Sequence, residues 1–187
     1  MRGGAGRRLL AAAAAAVILG GTLLLIVVRA AYPLDYEDSI RRACVAHGLD
    51  PFLVISLIAA ESGFRADAVS PAGAVGLMQI MPATGAWVAE QVGVADFTPV
   101  FLEEAETSVL LGTWYLSHLV AHYAGDLRLA LAAYNAGPTA VDRWRAAGES
   151  TPATVASYVE RVLSGAARYR FWYESPILGA LVRALPR

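Results

Sequence analysis

Between Asp50 and Gly63 the chain carries a run that few structures can accommodate. Asp50 is a favoured N-cap, and Pro51 suits the first helical position, where its missing N–H would have had no partner anyway. Leu49 and Val54 occupy the two positions of a hydrophobic staple. From Phe52 to Ala60 only Ser56 is polar, so the predicted helix must be enclosed on most of its circumference. The helix then ends in a carboxylate. Glu61 follows Leu57 and Ile58 by four and three residues and shares their face. Desolvation there disfavours the charged form, so the pKa of Glu61 is expected to be raised. An acid kept in such a place lowers stability, which points to a chemical use.

A second constraint lies at the N-terminus. Residues 9–28 are uncharged and almost wholly apolar, with a six-alanine run followed by Leu23, Leu24, Leu25, Ile26, Val27 and Val28. That length matches the roughly 20 apolar residues that cross a bilayer core, against roughly 7–15 in a cleaved signal. Arg2, Arg7 and Arg8 precede the span, which predicts residues 1–8 in the cytoplasm and a body outside the cell membrane, held by a single-pass signal-anchor. Cleavage at Val28-Arg29-Ala30 is the alternative, giving a released form. Beyond residue 31 there are 11 Arg against 16 Asp and Glu, a net negative body without the basic footprint of a nucleic-acid binder. Polar, uncharged substrates of the glycan type fit it better. Cys44 is the single cysteine, which excludes an intrachain disulfide and a cysteine-based metal cluster. Its apolar helical setting predicts a buried structural thiol. No metal and no cofactor are expected.

The body reads as all-α. After a linker at 29–35, a helix is predicted from Asp35 to His47 with Gly48 as its C-cap, then the Glu61 helix, then a shaped loop over 64–76. Pro82 opens a helix that Gly93 stops. Glu103, Glu104 and Glu106 crowd the predicted first turn of a long helix reaching Tyr123, where acids complement the helix dipole. Shorter helices follow over Leu127–Asn135 and from Pro138 through Trp144. The last predicted helix runs from Thr154 to Phe171, with Val155, Tyr158, Val159, Val162, Ala166 and Tyr169 as its stripe. The tail at 174–187 carries no assignable element, and no strand pair is predicted.

Three clusters place polar groups at the edges of apolar elements: Glu61-Ser62, Gly76-Leu77-Met78-Gln79-Ile80, and Ala133-Tyr134-Asn135-Ala136-Gly137. Each alone has a structural reading. The first is readable as a frayed helix end with a solvated acid, the second as a loop amide paired with backbone, the third as a C-terminal cap. Together, the run from Glu61 to Phe64, the run from Ala68 to Pro82 and the later Ala132 to Pro138 resemble the soluble lytic murein transglycosylase family. The resemblance covers residues 32–173, nearly all of the body. It implies a lysozyme-like helical domain over 36–173. It also implies cleavage of the β-1,4 bond between N-acetylmuramic acid and N-acetylglucosamine in peptidoglycan, leaving 1,6-anhydromuramic ends.

Carried over residue by residue, the resemblance makes Glu61 the catalytic acid and Ser62 the serine that follows it. It places Gln79 in the substrate groove with Met78 as its wall, and Tyr134 and Asn135 beside them, the tyrosine near the acid. Relatives commonly have a Glu-Thr-Arg segment before a Tyr-Val pair. Here Pro152-Ala153-Thr154-Val155-Ala156-Ser157 precedes Tyr158-Val159, so the Glu and Arg are missing and only Tyr158 carries over.

The residues themselves are consistent with a one-acid site. Ordinary glycosidases use two carboxylates. Only Glu61 is well placed in the core motifs, Asp67 lying in the loop without an apolar frame. One carboxyl suffices if it first protonates the leaving oxygen and then, as carboxylate, takes the proton of the muramic acid C6 hydroxyl. Tyr134 and Ser62 are then expected to orient the acid or the substrate's N-acetyl group. Two alternatives stay open: a goose-type lysozyme-like hydrolase that activates water with Asp67 or an unmatched acid, and a non-catalytic peptidoglycan-binding or assembly protein. The sequence names no cell-wall machinery as partner.

Overall fold

In the computed structural model, residues 3–185 are described; Arg2 and Arg187 lie outside them. The chain forms two compact units. One comprises Leu34–Arg168, the other Met1–Pro33 with Tyr169–Arg187.

The larger unit is a helical body, and its elements begin and end where local chemistry dictates. Helix α2 (Glu37–His47) closes on Gly48 in the left-handed conformation, whose N–H donates to the Cys44 carbonyl. Helix α3 (Pro51–Glu61) starts with the Asp50 side chain accepting from the Phe52 N–H at 3.0 Å. Helix α4 (Pro82–Val92) opens on its proline and stops at Gly93. Helix α5 (Ala105–His122) is the central element, packing against α2, α4 and α6 (Leu127–Ala136). Helix α7 (Pro138–Ala147) packs on α6, and α8 (Ala153–Tyr173) begins in this unit.

Helix α3 is enclosed as expected, with every residue from Phe52 to Ile58 buried. Its one polar residue has a specific use. The Ser56 hydroxyl donates to the Val162 carbonyl of α8 at 2.7 Å, and a Cβ on Gly165 would stand 2.1 Å from that hydroxyl oxygen. A serine facing a glycine thus lets α3 and α8 cross closely without leaving a polar group unpaired. Cys44 is buried, and burial together with Asp50 pushes its thiol pKa up to about 12, the behaviour of a structural cysteine.

Two expectations shift in detail. Residues Pro99–Glu103 form a 3-10 turn, Glu104 is the N-cap of α5, and only Glu106 sits in the first helical turn. The Leu102 side chain is fully buried, and that anchor holds the segment away from the helix its acids would favour. Among the described residues no strand forms; two isolated bridges, Val69 with Val75 and Val75 with Ile80, tie the loop after α3.

The smaller unit contains α1 (Gly3–Ala31) and α9 (Pro176–Arg183), which pack together. Residues Arg7–Ala31 are long and apolar enough, with mean hydropathy 2.6, to cross a membrane by length and composition. Helix α9 occupies the tail left unassigned above: the Ser175 side chain accepts from the Leu178 N–H at 3.3 Å, and Pro176 takes the first helical position. Within the same unit the Tyr173 hydroxyl donates to the Tyr32 carbonyl at 2.5 Å, and Tyr32 meets Tyr169 edge-on with centroids 5.3 Å apart.

Candidate active site

The site begins where α3 stops. Ser62 caps the helix, and the chain turns through Gly63 and Phe64, both at positive φ (60° and 65°). A phenylalanine accepts that backbone because its side chain is buried, 8% exposed. The turn leaves Glu61 at the end of the apolar helix, half-buried. Its carboxylate accepts a hydrogen bond of 2.5 Å from the Tyr158 hydroxyl of α8. Burial raises the Glu61 pKa; the Tyr158 hydrogen bond and the positive charge of Arg161 pull it back, and the net direction is upward. The acid therefore stays protonated to higher pH than an ordinary glutamate, and one of its carboxyl oxygens has a fixed hydrogen-bond donor.

Tyr158 is thus the residue in contact with the acid, although the segment before it departs most from the pattern of relatives. The register of α8 explains this. Val155, Tyr158, Val159 and Val162 form one buried face, so the tyrosine's position follows from helix packing and not from the missing Glu and Arg. Burial, followed by the nearby Glu61 charge, raises the Tyr158 pKa well above 10.0, which keeps it a neutral donor.

Ser62 differs from its expected role. The residue is 3% exposed and its hydroxyl donates back to the Ile58 carbonyl at 3.3 Å, a local helix-end bond that neither orients the acid nor faces a groove.

The loop after Phe64 folds back as a tight platform. Gln79 sits at φ 46°, and its side-chain amide donates to the carbonyls of Ala68 and Gly76, both at 2.9 Å. Met78 is 0% exposed, with its sulfur packed where a Cβ on Gly112 would come within 2.4 Å. The methionine expected as the groove wall is therefore a core residue. Its backbone matters more: the Met78 N–H donates to the Ser108 hydroxyl at 3.2 Å, and its carbonyl accepts from the Tyr134 hydroxyl at 2.7 Å. Met81, three residues on and 44% exposed, lines the groove instead.

Helix α6 brings the third cluster. Asp126 accepts from the N–H groups of Arg128 and Leu129 at 2.9 and 3.1 Å, which sets the helix register and delivers Tyr134 and Asn135 at its far end. Gln79, Met81, Thr84, Tyr115, Tyr134 and Asn135 line an open cavity of about 270 Å³. Burial and then the Glu61 charge raise the Tyr134 pKa well above 10.0, so the Tyr134 hydroxyl lies within electrostatic reach of the acid. Asp67, the other acid in the loop, is exposed to solvent.

The second and third clusters therefore line one groove, and Glu61 of the first acts electrostatically on its Tyr134. The sequence profile of the transglycosylase SLT domain matches residues 38–155. The chain belongs to that family. It is 34% identical over 151 residues to the soluble lytic murein transglycosylase of Salmonella typhimurium, covering 74% of this chain and 23% of the relative. It is 35% identical over 120 residues to the membrane-bound lytic murein transglycosylase C of Edwardsiella ictaluri, covering 58% of this chain and 33% of that one. Its fold resembles the solved structure of an inactive glutamate-to-glutamine mutant of the lytic transglycosylase Slt from Pseudomonas aeruginosa. The TM-score is 0.73 at 28% identity, over 80% of this chain and 26% of the other. The chain thus spans about a quarter to a third of the length of these relatives. The SLT domain here is all-α and lysozyme-like, as its sequence led one to expect. The sequence reading missed Met81, Thr84 and Tyr115 as groove residues. Met81 and Thr84 flank the Pro82 that opens α4, and a proline-started helix beside a glycine-rich loop was the available signal.

Proposed function

We propose that the protein is a lytic transglycosylase that cleaves the β-1,4 bond between N-acetylmuramic acid and N-acetylglucosamine in peptidoglycan without consuming water. The observation that carries this is the desolvated carboxyl of Glu61, hydrogen-bonded to Tyr158 and within electrostatic reach of Tyr134, which lines the groove with Gln79. Protonated Glu61 gives its proton to the glycosidic oxygen as the bond from that oxygen to C1 breaks. The substrate's N-acetyl group shields the positive charge that develops at C1. The C6 hydroxyl oxygen then closes on C1, and its proton passes to the Glu61 carboxylate, which restores the starting acid. No second carboxylate and no water enter the balance. Gln79, Tyr134 and Asn135 hold the strand, while Tyr158 keeps the acid's free oxygen aimed. This domain occupies residues 36–173.

The apolar span 9–28 of α1, the arginines ahead of that span and the membrane-bound relative support a chain anchored by its N-terminus with the SLT domain on the outer side of the cell membrane. Mass spectrometry of peptidoglycan digested by the full chain tests the reaction. Anhydro ends, lighter by one water than reducing ends, are the expected product; reducing ends would identify a hydrolase.

Tyr158→Phe removes the hydroxyl that favours the ionised form of Glu61. The Glu61 pKa should then rise further, so the activity lost as pH increases through that pKa is lost at higher pH than in the parent. The maximal rate should fall on the order of tenfold because the acid is no longer aimed. A pH–rate profile that keeps its alkaline limb in place would remove Tyr158 from this role.

A further inference from the structure

Helix α9 is apolar on two faces, and its neighbours bury only one of them. Gly179 and Val182 point inward: a Cβ on Gly179 would stand 2.4 Å from the Tyr173 carbonyl oxygen, and Val182 is 0% exposed. Ile177 and Leu181, one turn apart, lie on the other side and are 73% and 48% exposed, with the exposed Ala180 and Ala184 beside them. From Pro176 to Val182 no side chain is polar. A helix that is apolar all round belongs in a protein core or in a membrane, and the outer face of α9 is in no core.

Its place in the smaller unit selects the membrane. From Arg7 onward α1 is exposed except near its end, where Val28 is buried and Leu25 and Arg29 are half-buried, followed by the half-buried Tyr32. These positions recur at three and four residues and form one stripe at the outer end of the apolar span 9–28. The Tyr173 hydroxyl donates to the Tyr32 carbonyl there. Arg183 of α9 closes over Tyr173: its Nη1 donates to the Tyr173 carbonyl at 3.1 Å, and its guanidinium carbon lies 5.2 Å from the ring centroid. Helix α9 is therefore tied to the chain at Tyr32, four residues past the span, or about 6 Å along a helix axis. That is the depth of the headgroup layer, about 5–7 Å on each side of the hydrocarbon core.

The surrounding chemistry fits that depth. The Tyr169 ring lies 5.3 Å from Tyr32 and 6.2 Å from Tyr173, centroid to centroid. Tyrosines gather at the membrane–water boundary because each has an apolar ring and a polar tip. Residues 169–187 hold Arg170, Arg183 and Arg187 against Glu174 alone, although the chain beyond residue 31 is net negative. Cationic side chains beside an apolar stripe are the composition of a helix lying in an anionic bilayer surface.

We propose that α9 is a second membrane contact, lying in the bilayer surface beside the end of α1 with Ile177 and Leu181 among the lipid acyl chains. The proposal rests on the anchoring by α1 given above. The chain is then held to the membrane near both of its ends, and a form released from α1 by cleavage keeps a membrane-seeking helix.

The test uses the full chain in phosphatidylethanolamine–phosphatidylglycerol vesicles, with one nitroxide at a time on Ile177→Cys or Leu181→Cys. Cys44 is buried and its thiol pKa is pushed up to about 12, so the label goes to the introduced cysteine. Ile18→Cys inside the span is the lipid reference, and Glu149→Cys, at an exposed acid after α7, is the water reference. Collisions of the nitroxide with oxygen, which concentrates in lipid, are compared with collisions with a water-soluble nickel chelate. Both α9 labels should favour oxygen relative to Glu149→Cys and report a depth of roughly 5–10 Å into the headgroup and acyl boundary, shallower than Ile18→Cys. Free access of nickel to both would leave the face in water and overturn the proposal. Exclusion of oxygen and nickel alike would mean that protein covers the face, which overturns it equally. Nickel access at Ile18→Cys would overturn the anchoring by α1 and the α9 contact with it, whereas lipid-like access there beside water-like access at 177 and 181 removes α9 alone.

Discussion

Replacing Glu61 with glutamine is expected to slow turnover by orders of magnitude and to raise the melting temperature of the same protein. The two effects share one cause. The carboxyl lies at the end of a helix buried from Phe52 to Ile58, and burial is the largest influence on its pKa. A group whose folded pKa is raised destabilises the fold once it must ionise. Below the ordinary carboxylate range it is protonated in folded and unfolded chains alike and nothing is lost. As pH climbs through the raised folded value the destabilisation reaches its full size. Glutamine keeps the volume and still accepts from the Tyr158 hydroxyl, but it never ionises. The variant should therefore melt above the parent at neutral pH, and the gap should close as pH is lowered. Its rate should fall by a factor on the order of 10²–10⁴, the usual contribution of a positioned general acid. Thermal scans at several pH values beside anhydro-product release measure both. A variant less stable than the parent at neutral pH would mean that Glu61 ionises without penalty, and the acid would have to be sought elsewhere.

Most of the fold was legible because its punctuation is chemical and local. Asp50-Pro51, Pro82, Asp126 and Pro138 start helices, while Gly48, Gly93 and Gly148 stop them, and these rules need no knowledge of the tertiary structure. Where packing decides, the reading drifted. The acids at 103–106 predict a helix start, yet Leu102 is anchored in the core and the helix waits until Ala105. Helix α9 was unassigned because its apolar sequence fits several environments, and its partner α1 lies far away in the chain.

The site divides in the same way. Glu61 was legible because helical periodicity fixes which neighbours share its face. Tyr158 follows equally from periodicity, since it belongs to the Val155–Val162 stripe; the altered residues before it lie mostly in the first turns of α8 and leave that stripe in register. The choice between Met78 and Met81 was not legible. Both lie in or beside a loop where Gly76 and Gln79 take positive φ, so side-chain direction there follows no period. Its complete burial and the close approach of Gly112 show that Met78 points into the core.

Gly76→Ala should be among the most damaging single substitutions in the loop, and the comparison with Gly73→Ala shows why. Both glycines have positive φ, +83° and +86°. A Cβ at Gly73 would meet nothing within 4 Å, so alanine there brings only left-handed backbone strain, about 1–2 kcal/mol. A Cβ at Gly76 would fall 1.8 Å from the Leu102 carbonyl oxygen and 2.8 Å from the Ser108 hydroxyl. The first is backbone of Leu102, whose side chain is fully buried, and cannot swing aside, so overpacking adds to the strain for a total of about 3–4 kcal/mol. In a domain of this size that corresponds to a fall of roughly 6–15 °C in Tm. Function should suffer beyond the stability loss. The Gly76 carbonyl accepts from the Gln79 amide, and Ser108 accepts from the Met78 N–H, whose carbonyl in turn receives the Tyr134 hydroxyl. Pushing Gly76 away from Leu102 therefore moves Gln79 and the Met78 carbonyl that accepts from Tyr134 together. Thermal scans and kcat/KM below the melting range separate the two effects. If both alanine variants lose the same few degrees and keep full activity, the wall at Leu102 yields more easily than its burial implies, and the platform does not depend on it.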